Sequence, residues 1–453
     1  MQFDFFTLVS KLNSFIWGPP LLIALSGVGI YFTWLLRGLQ FRRFGLAHKL
    51  SLGSGEKTGE AISERDSLMM SLAGTVGIGS IAGVATAIAI GGIGALFWLW
   101  VASFIGMVTK YAETVLGVRY RIFEKGAFSG GPMYYLEKGV KSPFLAKFFA
   151  AAMALSVLGG GNMVQTNAVA GAVCELLPVQ PIWVGVILMM LTAVALLGGL
   201  KSMSRTANLL VPFMGILYLG GGGFILIKYA SLIPATLMMI VKTAFTGQAA
   251  VGGFVGSGIM IAMQMGFSRG TFSSEIGLGT SAISSAAAKT DYPARLGLIS
   301  IAGVFLTTGV VCTCTGLVIA LTGVLGDTDA DGLLRSGAPL AFHAFEKGFY
   351  GGGLVVTLSL IPFAFTTMIG WAYCGEKAFE YLFGEKSIVW YRWLFILLVI
   401  PGAVLDLQFI WSFANLMNGL MIFPNLIALI VLRREVVEET EVFFAHFRGL
   451  AKG

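Results

Sequence analysis

The sequence predicts an all-α polytopic membrane protein: eleven transmembrane helices, one extra N-terminal helix followed by a 5+5 inverted repeat with two broken helices. Three observations predict it. Of 453 residues, 56% are hydrophobic and only 12% charged, where a soluble domain carries about 25% charged residues; the mean hydropathy is +0.84. Apolar runs long enough to cross a hydrocarbon core of about 30 Å recur along the chain, and they are continuous rather than alternating, so the spans are helices and not barrel strands. The glycine pattern of Val76-Gly77-Ile78-Gly79-Ser80 returns as Ile276-Gly277-Leu278-Gly279-Thr280 in the other half.

The runs centre near residues 26, 79, 102, 158, 190, 218, 260, 308, 362, 397 and 421. The first, about 14–36, is too long for a signal-peptide core and lacks a small-x-small cleavage site, so it reads as a retained helix. The remaining ten divide into repeat 1, about 66–230, and repeat 2, about 248–433, leaving a tail of 434–453. An odd number of helices per repeat makes the two copies face opposite ways. With no linker or low-complexity tract, the whole chain reads as one membrane transport domain.

Basic residues alternate between loops. Arg37, Arg42, Arg43, Lys49, Lys57 and Arg65 follow the first run; Arg119, Arg121, Lys125, Lys138, Lys141 and Lys147 follow the third. Lys201 and Arg205, Lys289 and Arg295, Lys377 and Lys386, and Arg433 and Arg434 follow the fifth, seventh, ninth and eleventh. The intervening loops near Gly91 and Pro178 carry none, and Asp327, Asp329 and Asp331 make another one acidic. The positive-inside rule then sets the N-terminus outside and the C-terminus in the cytoplasm of a cell membrane, prokaryotic by expectation. The net charge of +7 therefore reports topology and not nucleic-acid binding. Cys174, Cys312, Cys314 and Cys374 lie in or beside apolar runs without metal-ligand spacing, and His48, His343 and His446 fall in loops or the tail, outside the expected spans.

Gly77-x-Gly79-x-x-Ala82 also fits a dinucleotide loop, but that loop needs a strand before it and an acidic residue about 20 positions on. Here it sits inside an apolar run. Gly79-x-x-x-Gly83 would also suit close helix packing. The second occurrence favours a third reading: two glycine-broken helices opening inverted repeats point to a secondary transporter with its site at the repeat interface. A broken helix frees N–H groups at one half-terminus and carbonyls at the other. The first group can hold a carboxylate and the second a cation. The break in the seventh helix is expected between Gly266 and Phe272.

The stretches "GTVGIGSIAGVATAIAIGGIGALFWLWV", "FSGGPMYYLEKG", "FSRGTFSSEIGLGTSAISSAAAKTDYPARLGLISIAGVFLTTGVVCTCTGLVIALTG" and "PFAFTTMIGWAYCGEKAFEYLFG" resemble the alanine or glycine:cation symporter family, also called the sodium:alanine symporter family. The likeness runs from about Asn13 to Arg434. It implies a leucine-transporter (LeuT) type fold and symport of small neutral amino acids, namely alanine and glycine, with serine and D-alanine as further candidates. Sodium would be the coupling ion, with no other cofactor and no obligatory protein partner.

The resemblance implies that Thr75, Ile78 and Gly79 surround the substrate, the amides of Ile78 and Gly79 meeting its carboxylate. Carbonyls of Ala73 and Val76, with hydroxyls of Thr366 and Thr367, would hold sodium, a hard cation suited to neutral oxygens. Gln165, Phe272, Thr367 and Trp371 would line the pocket, and Ser80 stands where many relatives carry asparagine. Gln165 and Asn162 could otherwise join helices, and Thr366 and Thr367 could bond back to their own helix. Glu113, three residues after Lys110, reads as a surface pair at a helix end. Glu275 is a candidate gate or proton site, with Arg269 its partner or a solvated residue. A proton-coupled carrier using Glu275 is the nearest alternative and a channel a more distant one. An enzyme would need a nucleophile or metal constellation that the spans lack.

Overall fold

The protein, as a computed structural model, is described over residues 5–51, 64–124, 127–246, 258–328, 332 and 334–450. Lys57, Lys125, Asp329, Asp331 and the expected start of repeat 2 lie outside these residues.

Helix α1 is Pro19–Leu35, opened by prolines in its first turn, where a missing N–H costs nothing. It stops where Arg37 and Gly38 both take positive φ, 54° and 66°. Then come α2 Glu64–Thr75, α3 Ala82–Gly91 and α4 Ala95–Arg119. Next are α5 Pro143–Leu176, α6 Pro181–Leu197 and α7 Gly199–Lys228. The second half holds α8 Gly258–Ser274, α9 Thr280–Ala286, α10 Pro293–Thr322, α11 Gly352–Phe383, α12 Ile388–Val404, α13 Leu407–Val431 and α14 Arg433–Leu450.

Eight of the described helices are long and apolar enough to cross a membrane. The runs centred near 79 and 260 arrive as shorter pieces because both helices are interrupted, and the run near 190 is α6, which has only 17 residues. One feature departs from an all-helical chain: a small antiparallel hairpin pairs Ile122–Glu124 with Ala127–Ser129. His48 and His343 lie in short helices, Phe44–Ser51 and Gly337–Gly348, and not in loops, while His446 lies in the tail, which is helical as α14.

The core is built on α4, which packs between α8 and α10. Large apolar side chains such as Ile23, Ile30, Trp34, Ile216 and Ile227 are exposed on the outside of the bundle. In a membrane protein this is the lipid-facing surface, since hydrocarbon and not water is the solvent there.

The second break is not where it was expected. Helix α8 runs unbroken through Gly266–Phe272 to Ser274. A Cβ at Gly266 would come within 2.6 Å of the Ala95 carbonyl oxygen, so this glycine permits close packing on α4 and does not end the helix. The chain breaks at 275–279 instead, where Glu275, Gly277 and Gly279 take φ of 55°, 80° and 75°. There the left-handed conformation is imposed, at some cost for a glutamate. Two π-helical turns, Val157–Met163 in α5 and Phe305–Cys312 in α10, face the same region, as such turns commonly do at functional sites.

Candidate functional site

The break between α2 and α3 leaves buried backbone without helical hydrogen bonds. After Thr75 the helix stops, Gly77 is extended (φ −124°, ψ −162°), and Ile78–Ser80 make one 3₁₀ turn closed by Ser80 N–H to Gly77 O at 3.0 Å. Among the described residues, no hydrogen bond takes up the amides of Gly77, Ile78 or Gly79. Ile78 and Ser80 are fully buried. Buried amides ordinarily find a partner, so this row of N–H groups is set for an acceptor from outside the chain.

Two sides of the break are closed by aromatic rings. Phe272 of α8 lies against Gly79, where a Cβ would meet its ring at 2.9 Å. It stands 5.7 Å from Trp371 of α11 and 5.1 Å from Trp411 of α13, ring centre to ring centre. Gly160 and Gly161, in the π-turn of α5, give Trp371 and Phe272 the room to approach. Gln165 donates to Gly160 O at 2.8 Å, while its buried Oε1 has no partner among the described residues. Asn162 instead reaches Phe395 O of α12 at 2.5 Å, so the joining of helices falls to Asn162 and leaves Gln165 with a free acceptor.

On the other side, Thr367 Oγ1 lies 3.0 Å from Ala73 O and 2.9 Å from Phe363 O. A Cβ at Gly77 would sit 2.1 Å from that hydroxyl; only glycine admits the contact. Thr366 is not brought to the break. Its hydroxyl bonds back to Pro362 O at 2.9 Å and faces Met214 Sδ of α7 at 3.6 Å, because neighbours on a helix point about 100° apart. Thr75 Oγ1 bonds Ser71 O at 2.9 Å and accepts from Thr307 at 3.3 Å. Ser80 links the two breaks: its Oγ lies 3.0 Å from Ser273 Oγ, and its carbonyl accepts from Thr315 of α10 at 2.9 Å.

The second break is answered from within. Lys110 donates to Ser274 O at 2.7 Å, and Asn425 of α13 donates to Gly277 O and to Glu113 Oε1, both at 2.8 Å. Tyr135 in turn donates to Asn425 Oδ1. The surface-pair reading of Lys110 and Glu113 is therefore overturned: they are 1% and 0% exposed, because the end of α4 is covered by the break it serves. Glu275 Oε1 accepts from Trp371 Nε1 at 2.5 Å and its Oε2 from Thr280 at 2.7 Å. The carboxylate also abuts Gly74 in the last turn of α2, beside the first break, where a Cβ would lie 2.8 Å away. Arg269 is neither its partner nor solvated; it is buried with its guanidinium 3.9 Å over Trp411.

Sequence reasoning thus missed Lys110, Asn425, Tyr135, Ser273 and Trp411. Lysine and asparagine inside apolar runs were the available signal, since polar groups at such depth need a partner.

A family model described as "Sodium:alanine symporter family" matches residues 3–451. The sodium/alanine symporter AgcS of Methanococcus maripaludis is 44% identical over 447 residues, 97% of each chain. The probable sodium/glutamine symporter GlnT of Bacillus subtilis is 33% identical, over 95% of this chain and 88% of that one. Among solved structures, the crystal structure of MhsT in complex with L-phenylalanine superposes with a TM-score of 0.57 at 15% identity, over 86% of this chain and 99% of that one. That last likeness concerns the fold alone.

Proposed function

Because the chain belongs to the sodium:alanine symporter family, a family of transporters and not enzymes, we propose that it imports small neutral amino acids with sodium by alternating access. Alanine and glycine are the first substrates, with serine and D-alanine next. The observation that carries this reading is the row of free amides at Gly77, Ile78 and Gly79, which suits a substrate carboxylate at a half-helix N-terminus. Phe272 and Trp371, packed 5.7 Å apart beside the break, suit a substrate with a small side chain, and the free Gln165 Oε1 suits its ammonium. Ser80, in place of an asparagine, adjusts the floor of this pocket.

Sodium would bind where Thr367 Oγ1 meets Ala73 O, with the Val76 carbonyl as a further neutral oxygen. In the proposed architecture eleven helices, counting each broken pair as one span, form an inverted 5+5 repeat after α1. The N-terminus lies outside, the tail in the cytoplasm, and one half rocks against the other. One sodium ion falling through about 100 mV supplies about 2.3 kcal/mol, enough for roughly fifty-fold accumulation.

The proton alternative rests on Glu275, but both its oxygens accept hydrogen bonds, and a proton on either would weaken that oxygen as an acceptor. The test is uptake of labelled alanine and glycine into liposomes carrying the purified protein, under an inward sodium or an inward proton gradient. Accumulation with sodium alone is expected. Accumulation with protons alone would sink the sodium assignment, uptake with no need of a gradient would point to a channel, and no uptake would refute the substrate class.

A further inference from the structure

Away from the transport site, a cavity of about 260 Å³ opens where the end of α1 meets the tail helix α14. Arg37, Arg42 and Arg43 line it, opposed by a single carboxylate, Glu441. None of the three arginines has a carboxylate within ion-pair distance among the described residues. The tail helix has spent its other acids elsewhere: Glu435, Glu438 and Glu439 all turn to Arg119, at 3.0, 3.6 and 2.9 Å. Arg43 lies 4.7 Å over the Phe444 ring and Arg42 reaches only the Arg37 carbonyl, at 3.5 Å. Guanidinium groups so placed keep most of their donors free for an anion.

Apart from Thr440 the remaining wall is apolar, with Leu35, Leu36, Leu39, Val437 and Phe444, and it adjoins the outer surface of α1, where Trp34 is 75% exposed. A tryptophan at the end of a span marks the headgroup level of a bilayer. A soluble phosphate ester would use the arginines and leave this wall wet; a lipid uses both. We propose that the cavity binds an anionic phospholipid, its phosphodiester against Arg37, Arg42 and Arg43 and an acyl chain along Leu36 and Leu39, tying the tail helix to α1. Basic pockets between spans take such headgroups. The site is independent of the transport reading.

The test is native mass spectrometry of the full chain released from detergent micelles doped with phosphatidylglycerol or with phosphatidylcholine of the same acyl chains. Retention of phosphatidylglycerol at a micellar fraction at least about tenfold lower than phosphatidylcholine is expected. R37Q/R42Q/R43Q should abolish that preference, whereas R433Q/R434Q, which removes charge from the same end of the bundle outside the cavity, should keep it. V437W fills the cavity without touching a charge and should also abolish it, which decides the matter if the triple variant fails to fold. Equal retention of both lipids, or equal loss in R433Q/R434Q, would overturn the site. Displacement of the lipid by millimolar glycerol phosphate would overturn the lipid in favour of a free phosphate ester.

Discussion

Gly77 and Gly79 differ from most glycines of this chain in what a methyl group would strike. At Gly79 it would meet the Phe272 ring at 2.9 Å and the Ser273 backbone at 3.2 Å, so G79A should push the ring into the substrate space. The expected outcome is a KM for alanine raised about tenfold, worth about 1.4 kcal/mol, with a smaller loss for glycine; equal losses for both would refute a steric role. Thr366 and Thr367 form a second contrast. T367V removes the only hydroxyl beside Ala73 O among the described side chains and should raise the sodium concentration for half-maximal uptake about tenfold. T366V removes a bond back to its own helix and should leave sodium dependence within about twofold. If T366V alone changed sodium dependence, the cation site would lie toward Met214.

At the scale of elements, the two breaks share a glycine pattern and differ in what answers their backbone. The first leaves amides free; the second has Lys110 on Ser274 O and Asn425 on Gly277 O. The charge of Lys110 also acts on both Glu113 and Glu275, and removing one partner of buried opposite charges costs about 3–5 kcal/mol. K110M should therefore lower unfolding stability by about that much, and the double variant K110M/E275Q should recover part of it. A denaturation series on the two singles and the double measures the coupling; strictly additive losses would show that Lys110 is not coupled to Glu275.

For the whole molecule, α14 is a docked element and not a loose tail. Tyr111 and Thr440 hydroxyls meet at 2.7 Å, and Tyr120 donates to Glu435 at 2.8 Å. Arg119 gathers three glutamates of the tail but is itself 32% exposed, so its pairs are partly screened and together contribute about 1 kcal/mol. R119A should speed proteolytic cleavage within α14 several-fold while uptake at saturating alanine stays near wild type. Loss of uptake instead would make the tail part of the moving machinery.

The sequence by itself determined the membrane class, the helical content and the glycine pattern of the breaks, because hydropathy and helix-breaking glycines act locally. Ile78, Gly79, Phe272, Trp371, Thr367 and Gln165 were legible through family resemblance, and the structure brings them around one break or its π-turn. Three matters needed the tertiary structure. The second break falls at 275–279 and not before Phe272 because Gly266 is used for packing against α4, which no single-helix pattern reveals. Lys110 and Glu113 are buried because α8, α9 and α13 close over the end of α4, so that charges which look solvated in sequence become the partners of broken backbone. Thr367 and not Thr366 reaches Ala73, since adjacent residues look alike in hydropathy and only the rotation of α11 against the break decides which hydroxyl arrives.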